Sequence, residues 1–355
     1  MIINGFKYIP FTLNFNSPFK TSSKTITARK GYILQLKDEL GNLSLGECSP
    51  LPGFSTDNIE EAGNLLANLQ NQVLGLNVEH NFESIQNSLR RFDLLPSLQF
   101  AFEQAVIDLL LHRDRGFINN LIEKKKFLIG VNAVIGFAKE DVVLFKIREK
   151  IKHGYDTFKI KVGREDINED FLLIKKIRDE FGSGINIRLD VNRAWSSDKT
   201  LENICLFKDF NITYIEEPCE LVCGNFRLID QSPVPIALDE SLASFENATK
   251  LINECNAKFI ILKPMILGGI ISSYKFIKEA GNKNKKVIIS SSFGSSIGRS
   301  ALVLLAAATG NQMAHGLDTP EYFSSDVCSD PYPTTNGKIL FEAVNYPPQF
   351  DFTFL

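Results

Sequence analysis

The chain has 355 residues, 44% of them apolar and 23% charged, with a formal net charge of −3. That length suits one large barrel plus a smaller domain, or two to three domains, and the composition is that of an ordinary soluble globular protein. Near-neutral charge leaves no electrostatic footprint for nucleic acid or an anionic membrane, so neither is expected as a partner.

Met1–Lys7 lacks a basic segment followed by a long apolar one, so no signal peptide is expected. The most apolar window, Phe127–Phe137, is about half the length that spans a bilayer. The six cysteines (48, 205, 219, 223, 255 and 328) form no framework pattern, which fits reduced thiols in a cytoplasmic protein. Cys219 and Cys223 are the one close pair; without a second Cys or His pair they read as structural cysteines, not a zinc site.

Residues 1–50 read as an antiparallel meander. Tyr32–Lys37 and Leu43–Glu47 flank Asp38-Glu-Leu-Gly-Asn42, a loop suited to a hairpin. Two loops interrupt this region, Pro18–Ser22 and Ser49–Ser55. The second carries two prolines, a glycine and Phe54. It reads as a rigid turn, or as a lid that would exclude water from a polar centre beneath it. Helical spacing follows over Ile59–Leu74, Phe82–Phe92 and Ser97–Leu111. After the solvated turn Lys124–Lys126, the apolar run Phe127–Ile135 reads as a first barrel strand.

From there strand and helix patterns alternate. Five short apolar runs each end in charge: Phe158-Lys-Ile-Lys-Val162, Ile187-Arg-Leu-Asp-Val-Asn192, Tyr214-Ile-Glu-Glu-Pro218, Ile236-Ala-Leu-Asp-Glu240 and Ile260-Ile-Leu-Lys-Pro264. Successive charges at Lys161, Asp190, Glu216, Asp239 and Lys263 are spaced by 29, 26, 23 and 24 residues. One strand, one helix and two loops fill such an interval, which is the unit of a parallel α/β fold. Ile167, Phe171, Ile174 and Ile177 keep helical spacing between the second and third strands. Lys286–Phe293 gives a seventh strand, Ser300–Ala308 a small-residue helix, and Met313–Thr319 a short eighth strand. The tail, including Lys338–Phe341, reads as a β hairpin or edge strand that returns to the first domain.

Alternation along a strand places Lys159 with Lys161 on one face, and Arg188 with Asp190 and Asn192 on another. Charge on buried parallel strands is costly unless paired or metal-bound. A shared polar centre at the strand ends resolves the conflict, and barrel enzymes work at that end. Three carboxylates brought together repel and call for a cation; all-oxygen ligands favour Mg²⁺ over zinc or copper. A lysine beside such a cation and a second lysine gives up its proton more readily than in water. A metal between two lysines suits removal of a proton α to a carboxylate.

At these residues the chain resembles the enolase superfamily in its muconate-lactonising subgroup. The Lys-x-Lys, Asp-x-Asn, Glu-Glu-Pro, Asp-Glu-Ser and Lys-Pro motifs occur in that order. The resemblance implies an α/β fold: a modified (β/α)8, or (β/α)7β, TIM-like barrel over residues 121–319. An α+β capping domain would be built from residues 1–120 and the returning tail 320–355. It implies Mg²⁺, with Mn²⁺ as a substitute, held by Asp190, Glu216 and Asp239. Lys161 would act as base and then acid. Lys263 would stabilise the enediolate, or act as acid and base on the opposite face. Lys159, Asn192, Arg188, Phe54, Ser291, Ser292 and Gly316 would bind substrate or support the ligands.

Within the subgroup, Gly46–Ser55, Arg188–Trp195, Glu216–Cys219, Ser290–Phe293 and His315–Thr319 resemble the o-succinylbenzoate synthases of menaquinone biosynthesis. That branch dehydrates 2-succinyl-6-hydroxy-2,4-cyclohexadiene-1-carboxylate. The expected partner is therefore a small-molecule carboxylate; an oligomer is compatible with the pattern but not legible in it. N-succinylamino acid racemisation and dipeptide epimerisation use the same enediolate step. Dipeptide epimerases carry Asp-x-Asp on the last strand, where Gly316-Leu-Asp318 offers one carboxylate. A non-catalytic barrel would have lost a lysine or an acid, and all five are present. Glu217 and Glu240 are expected on the opposite strand face, where they would support the ligands or cap helices; His315 is expected as a satisfied core or loop histidine and Trp195 in packing.

Overall fold

A computed structural model describes residues 1–20, 25–221, 226–242 and 244–351. Thr21 and Ser22 of the first loop, and Cys223, lie outside the described residues.

The meander is a three-stranded antiparallel sheet of β1 (Ile3–Lys20), β2 (Thr25–Asp38) and β3 (Leu43–Cys48). Three helices follow: α1 (Ile59–Leu69), α2 (Phe82–Arg90) and α3 (Pro96–Arg113). Asn58 and Glu61 form a capping box that fixes the start of α1. α3 is buried around almost its whole circumference, because it packs between this sheet and the helices of the second unit.

The chain enters the barrel through β4 (Lys126–Gly130) and β5 (Ala133–Ile135). Alternation then runs α4 (Glu140–Lys152), β6 (Thr157–Lys161), α5 (Ile167–Phe181), β7 (Asn186–Asp190), α6 (Thr200–Leu206), β8 (Ile212–Glu216) and α7 (Arg227–Gln231). It continues with β9 (Ile236–Leu238), α8 (Phe245–Glu254), β10 (Phe259–Leu262), α9 (Pro264–Leu267), α10 (Ile270–Asn282), β11 (Lys286–Ile289) and α11 (Ser296–Ala308). β5 to β11 form a seven-stranded sheet in chain order, with every strand pair parallel.

Closure is made by His315 and Gly316, which form single parallel bridges and no regular strand. Gly316 pairs with Ser290 on one side and His315 with Val131 on the other. The fold is thus a (β/α)7β barrel with an α+β cap. Tyr214, Ala237, Ile261 and Ile288 fill one interior cluster, so the barrel is a packed core.

Two expectations are corrected. The apolar run Phe127–Ile135 is not one barrel strand: it breaks at Val131-Asn132, and only Ala133–Ile135 joins the parallel sheet. Its first half, β4, pairs antiparallel with β12 (Lys338–Glu342), so the tail strand returns to the barrel entrance and not to the β1–β3 sheet. The reason is burial: Phe127 and Ile129 point inward while Leu128 is exposed, an alternation hidden because all three are apolar.

Candidate active site

Lys161, Asp190 and Glu216 are the last residues of β6, β7 and β8; Asp239 and Lys263 immediately follow β9 and β10. The parallel register sets Lys161 beside Asp190 and Asp190 beside Glu216, so all three project to the same side. Asp190, Glu216 and Asp239 are buried.

The lysines divide the carboxylates between them. Lys159 Nζ lies 3.1 Å from Asp190 Oδ2 and 2.6 Å from Glu216 Oε1. Lys161 Nζ lies 3.3 Å from the same Asp190 Oδ2. On the far side, Lys263 Nζ donates to Asp239 Oδ2 at 2.5 Å. Burial pulls the Lys159 ammonium toward neutrality, but Asp190, Glu216 and Asp239 outweigh it and hold its pKa well above the usual value. Lys263 is raised in the same way, burial being overcome by Asp239 and Glu240. Burial, reinforced by Asp190 and Asp239, pushes the Glu216 carboxyl well up despite Lys159.

A divalent cation fits this donor set. Asp190 Oδ1 and Glu216 Oε2 are buried and have no hydrogen-bond partner, so each presents a free oxygen where the chain supplies no donor. Oxygen-only donors on three adjacent strands suit a hard cation. As they stand, each acid leans on a lysine, and among the described residues no three acidic, His or Cys side chains converge to ligating distance. A cation would therefore be met first by Asp190 Oδ1 and Glu216 Oε2, the oxygens that the lysines leave free.

The cap supplies one group. The Phe54 ring lies 5.5 Å from Lys263 Nζ. Its loop is a self-bonded turn, with Phe54 and Ser55 N–H donating to Leu51 O at 3.1 and 2.9 Å, and Ser55 Oγ accepting from Leu51 N–H at 2.8 Å.

Arg188 lies two residues before Asp190 on β7. Its guanidinium donates to Asn132 Oδ1 (3.0 Å) and Ala314 O (2.8 Å) and stacks 5.0 Å from the Tyr214 ring. It braces the barrel floor. His315 is buried; its Nδ1 accepts the Ile289 N–H at 2.9 Å, and burial, aided by Arg188, lowers its pKa to about 3. Trp195 is buried and stacks on Phe207.

Ser291 Oγ accepts the Phe293 N–H at 3.1 Å and also pairs with Thr319 Oγ1 at 3.1 Å, so its hydroxyl serves the loop. Ser292 is buried. Gly316 sits at the closing bridge, where a Cβ would lie 2.9 Å from Ser290 Oγ.

Glu240 corrects another expectation. It does not face away: Asn192 Nδ2 donates to its Oε1 at 2.7 Å, and its charge acts on Lys263. β9 ends at Leu238, so strict alternation no longer governs residues 239 and 240. Sequence reading also missed Glu47, Arg29 and Asn132, which hold the cap and the floor. A carboxylate one residue before the end of the largely apolar β3 was the available signal for Glu47.

Residues 144–343 match the family described as enolase C-terminal domain-like, and residues 5–109 match the MenC N-terminal domain. The chain belongs to the enolase superfamily of enzymes. It is 27% identical over 353 residues to o-succinylbenzoate synthase of Desulfotalea psychrophila, covering 90% of this chain and 94% of that protein. It is also 27% identical over 327 residues to L-Ala-D/L-Glu epimerase of Bacillus subtilis, covering 87% and 86%. A dipeptide epimerase from Enterococcus faecalis, solved with Mg and L-Leu-L-Tyr, superposes with a TM-score of 0.84 at 24% identity, covering 96% and 97%. The similarity of fold does not separate lyase from epimerase.

Proposed function

We propose that the chain is an o-succinylbenzoate synthase: a dehydratase that converts 2-succinyl-6-hydroxy-2,4-cyclohexadiene-1-carboxylate to 2-succinylbenzoate. Asp190, Glu216 and Asp239 would hold Mg²⁺, which when bound supplies the positive charge that makes a carboxylate's α-proton acidic. Lys161 Nζ takes that proton, leaving an enediolate. Lys161, now an ammonium, returns the proton to the departing hydroxyl on the same face, so water leaves and the ring becomes aromatic. Lys161 is the more open of its pair, its side chain 25% exposed against 15% for Lys159, which fits contact with substrate. Lys159 stays charged between Asp190 and Glu216 and offsets their mutual repulsion. Lys263, across the carboxylates, offers its ammonium to the developing negative charge.

The observation that carries this reading over dipeptide epimerisation is the state of Asp318, the one acid of the stretch Met313–Thr319. It accepts from Lys150 Nζ at 3.0 Å and Tyr155 Oη at 2.7 Å. Its charge is taken up by the chain's own cation, and Gly316 brings no second carboxylate to grip a substrate ammonium.

The test is to follow aromatic product by absorbance with and without a chelator, alongside N-succinyl amino acids in deuterated buffer. Metal-dependent product formation supports the reading. Uptake of α-deuterium without any aromatic product would replace it with racemisation.

A further inference from the structure

Glu217 follows the carboxylate Glu216 and is fully buried, yet its backbone is left-handed, with φ 38°. A bulky residue held there stores strain, which persists where surroundings over-determine it. The surroundings are three strand ends. Glu217 Oε2 accepts the Asp239 N–H at 3.0 Å. Oε1 accepts the Ser241 hydroxyl and, at 3.0 and 2.8 Å, Nε and Nη2 of Arg193. The main chain repeats the pattern: Glu217 N–H donates to Ala237 O at 2.9 Å, and Arg193 N–H donates to Glu217 O at 2.8 Å. Arg193 is itself left-handed, with φ 60°, three residues beyond Asp190.

We infer that Glu217 is a positioning residue whose buried carboxylate, gripped by Arg193, Ser241 and the Asp239 amide, sets the spacing of Asp190, Glu216 and Asp239. It ties the loop after β7, the end of β8 and the end of β9 at one point. The inference rests on reading the three acids as a cradle for a divalent cation. A group that fixes ligand spacing controls both affinity and the preference for ion size.

The experiment titrates Mn²⁺, by electron paramagnetic resonance, and Ca²⁺, by calorimetry, into the full chain and two variants. Glu217→Gln keeps the shape but turns an amide N–H₂ toward a donor. It should bind Mn²⁺ about 10–100-fold more weakly, with a reduced preference for Mn²⁺ over Ca²⁺ and an unchanged circular dichroism spectrum. Arg193→Lys keeps the charge but loses the fork, and should weaken Mn²⁺ binding less. If Glu217→Gln fails to fold, Arg193→Lys decides alone. Wild-type affinity and ion preference in the folded variants would overturn the positioning role while leaving the cradle intact. A wild-type chain that binds no Mn²⁺ would overturn both.

Discussion

The ring of Phe54, carried by the cap, sits 5.5 Å from the ammonium of Lys263, carried by the barrel. A cation over an aromatic face gains about 0.5–2 kcal/mol, more as water is excluded. The contact joins a loop of one unit to the candidate chemistry of the other. Phe54→Ala should therefore lower kcat/KM by about 2- to 30-fold while the melting temperature stays near wild type. Phe54→Trp should keep the activity. Equal kcat/KM in Phe54→Ala and wild type would show that the ring only covers the barrel mouth.

Lys161 and Lys159 lean on the same oxygen of Asp190, but only Lys159 also bridges to Glu216. Removing Lys161 therefore leaves the carboxylates still paired. Lys161→Ala should lose about 10²–10⁴-fold in turnover, the range of a positioned acid–base group, with Mn²⁺ binding unweakened. Stopped exchange of substrate α-hydrogen in deuterated buffer should accompany the loss. Persisting exchange would assign proton abstraction to another group.

Most barrel strands are legible because each short apolar run ends in a charge that burial would otherwise forbid. Lys161, Asp190, Glu216, Asp239 and Lys263 declare five strand ends in this way. Pairing of Lys126–Gly130 with Lys338–Glu342 is not legible, since the partners lie some two hundred residues apart in the chain and neither run marks an edge. Alternation locates side chains only while a strand lasts. Beyond Glu216 the left-handed Glu217, and beyond Leu238 the pair Asp239 and Glu240, follow turn geometry, so Glu240 points toward Asn192 and Lys263. Arg188 shares the strand face of Asp190, yet two residues of depth place it on the floor with Asn132. Periodicity gives the face but not the depth.

Glu47 ties the cap to the barrel. Its carboxylate accepts from Ser49 Oγ and Ser295 Oγ at 2.5 Å each, and from the N–H groups of Ser295 and Gly298 at 3.0 and 2.9 Å. It thus fills the N-terminus of α11, where Gly298 leaves room: a Cβ there would lie 2.8 Å from Glu47 Oε2. Arg29 adds bonds to Ser49 O, Pro50 O and Phe293 O at 2.5, 2.9 and 3.2 Å. Glu47→Ala orphans two buried amides and should cost about 2–5 kcal/mol in urea unfolding. Gly298→Ala should also destabilise the fold, by forcing the carboxylate away. A Glu47→Ala chain as stable as wild type would mean that water replaces the carboxylate without loss.

His315 gives the pH dependence of stability a defined direction. Its pKa is lowered to about 3 in the folded chain by burial and by Arg188, against about 6.5 when unfolded. Between those values the unfolded chain carries one proton more, so stability falls as pH drops from about 6.5 toward 3, by about 1.4 kcal/mol per pH unit. Above about pH 6.5 this contribution is complete and constant. His315→Asn offers Oδ1 to the Ile289 N–H in place of Nδ1 and cannot take the proton. Urea unfolding at pH 7 and pH 5 should therefore show wild type losing more stability than His315→Asn, by about 2 kcal/mol. The carboxylates contribute alike to both chains and cancel in the comparison. Equal losses would mean that the folded barrel tolerates imidazolium at this position, with Ile289 giving up its bond.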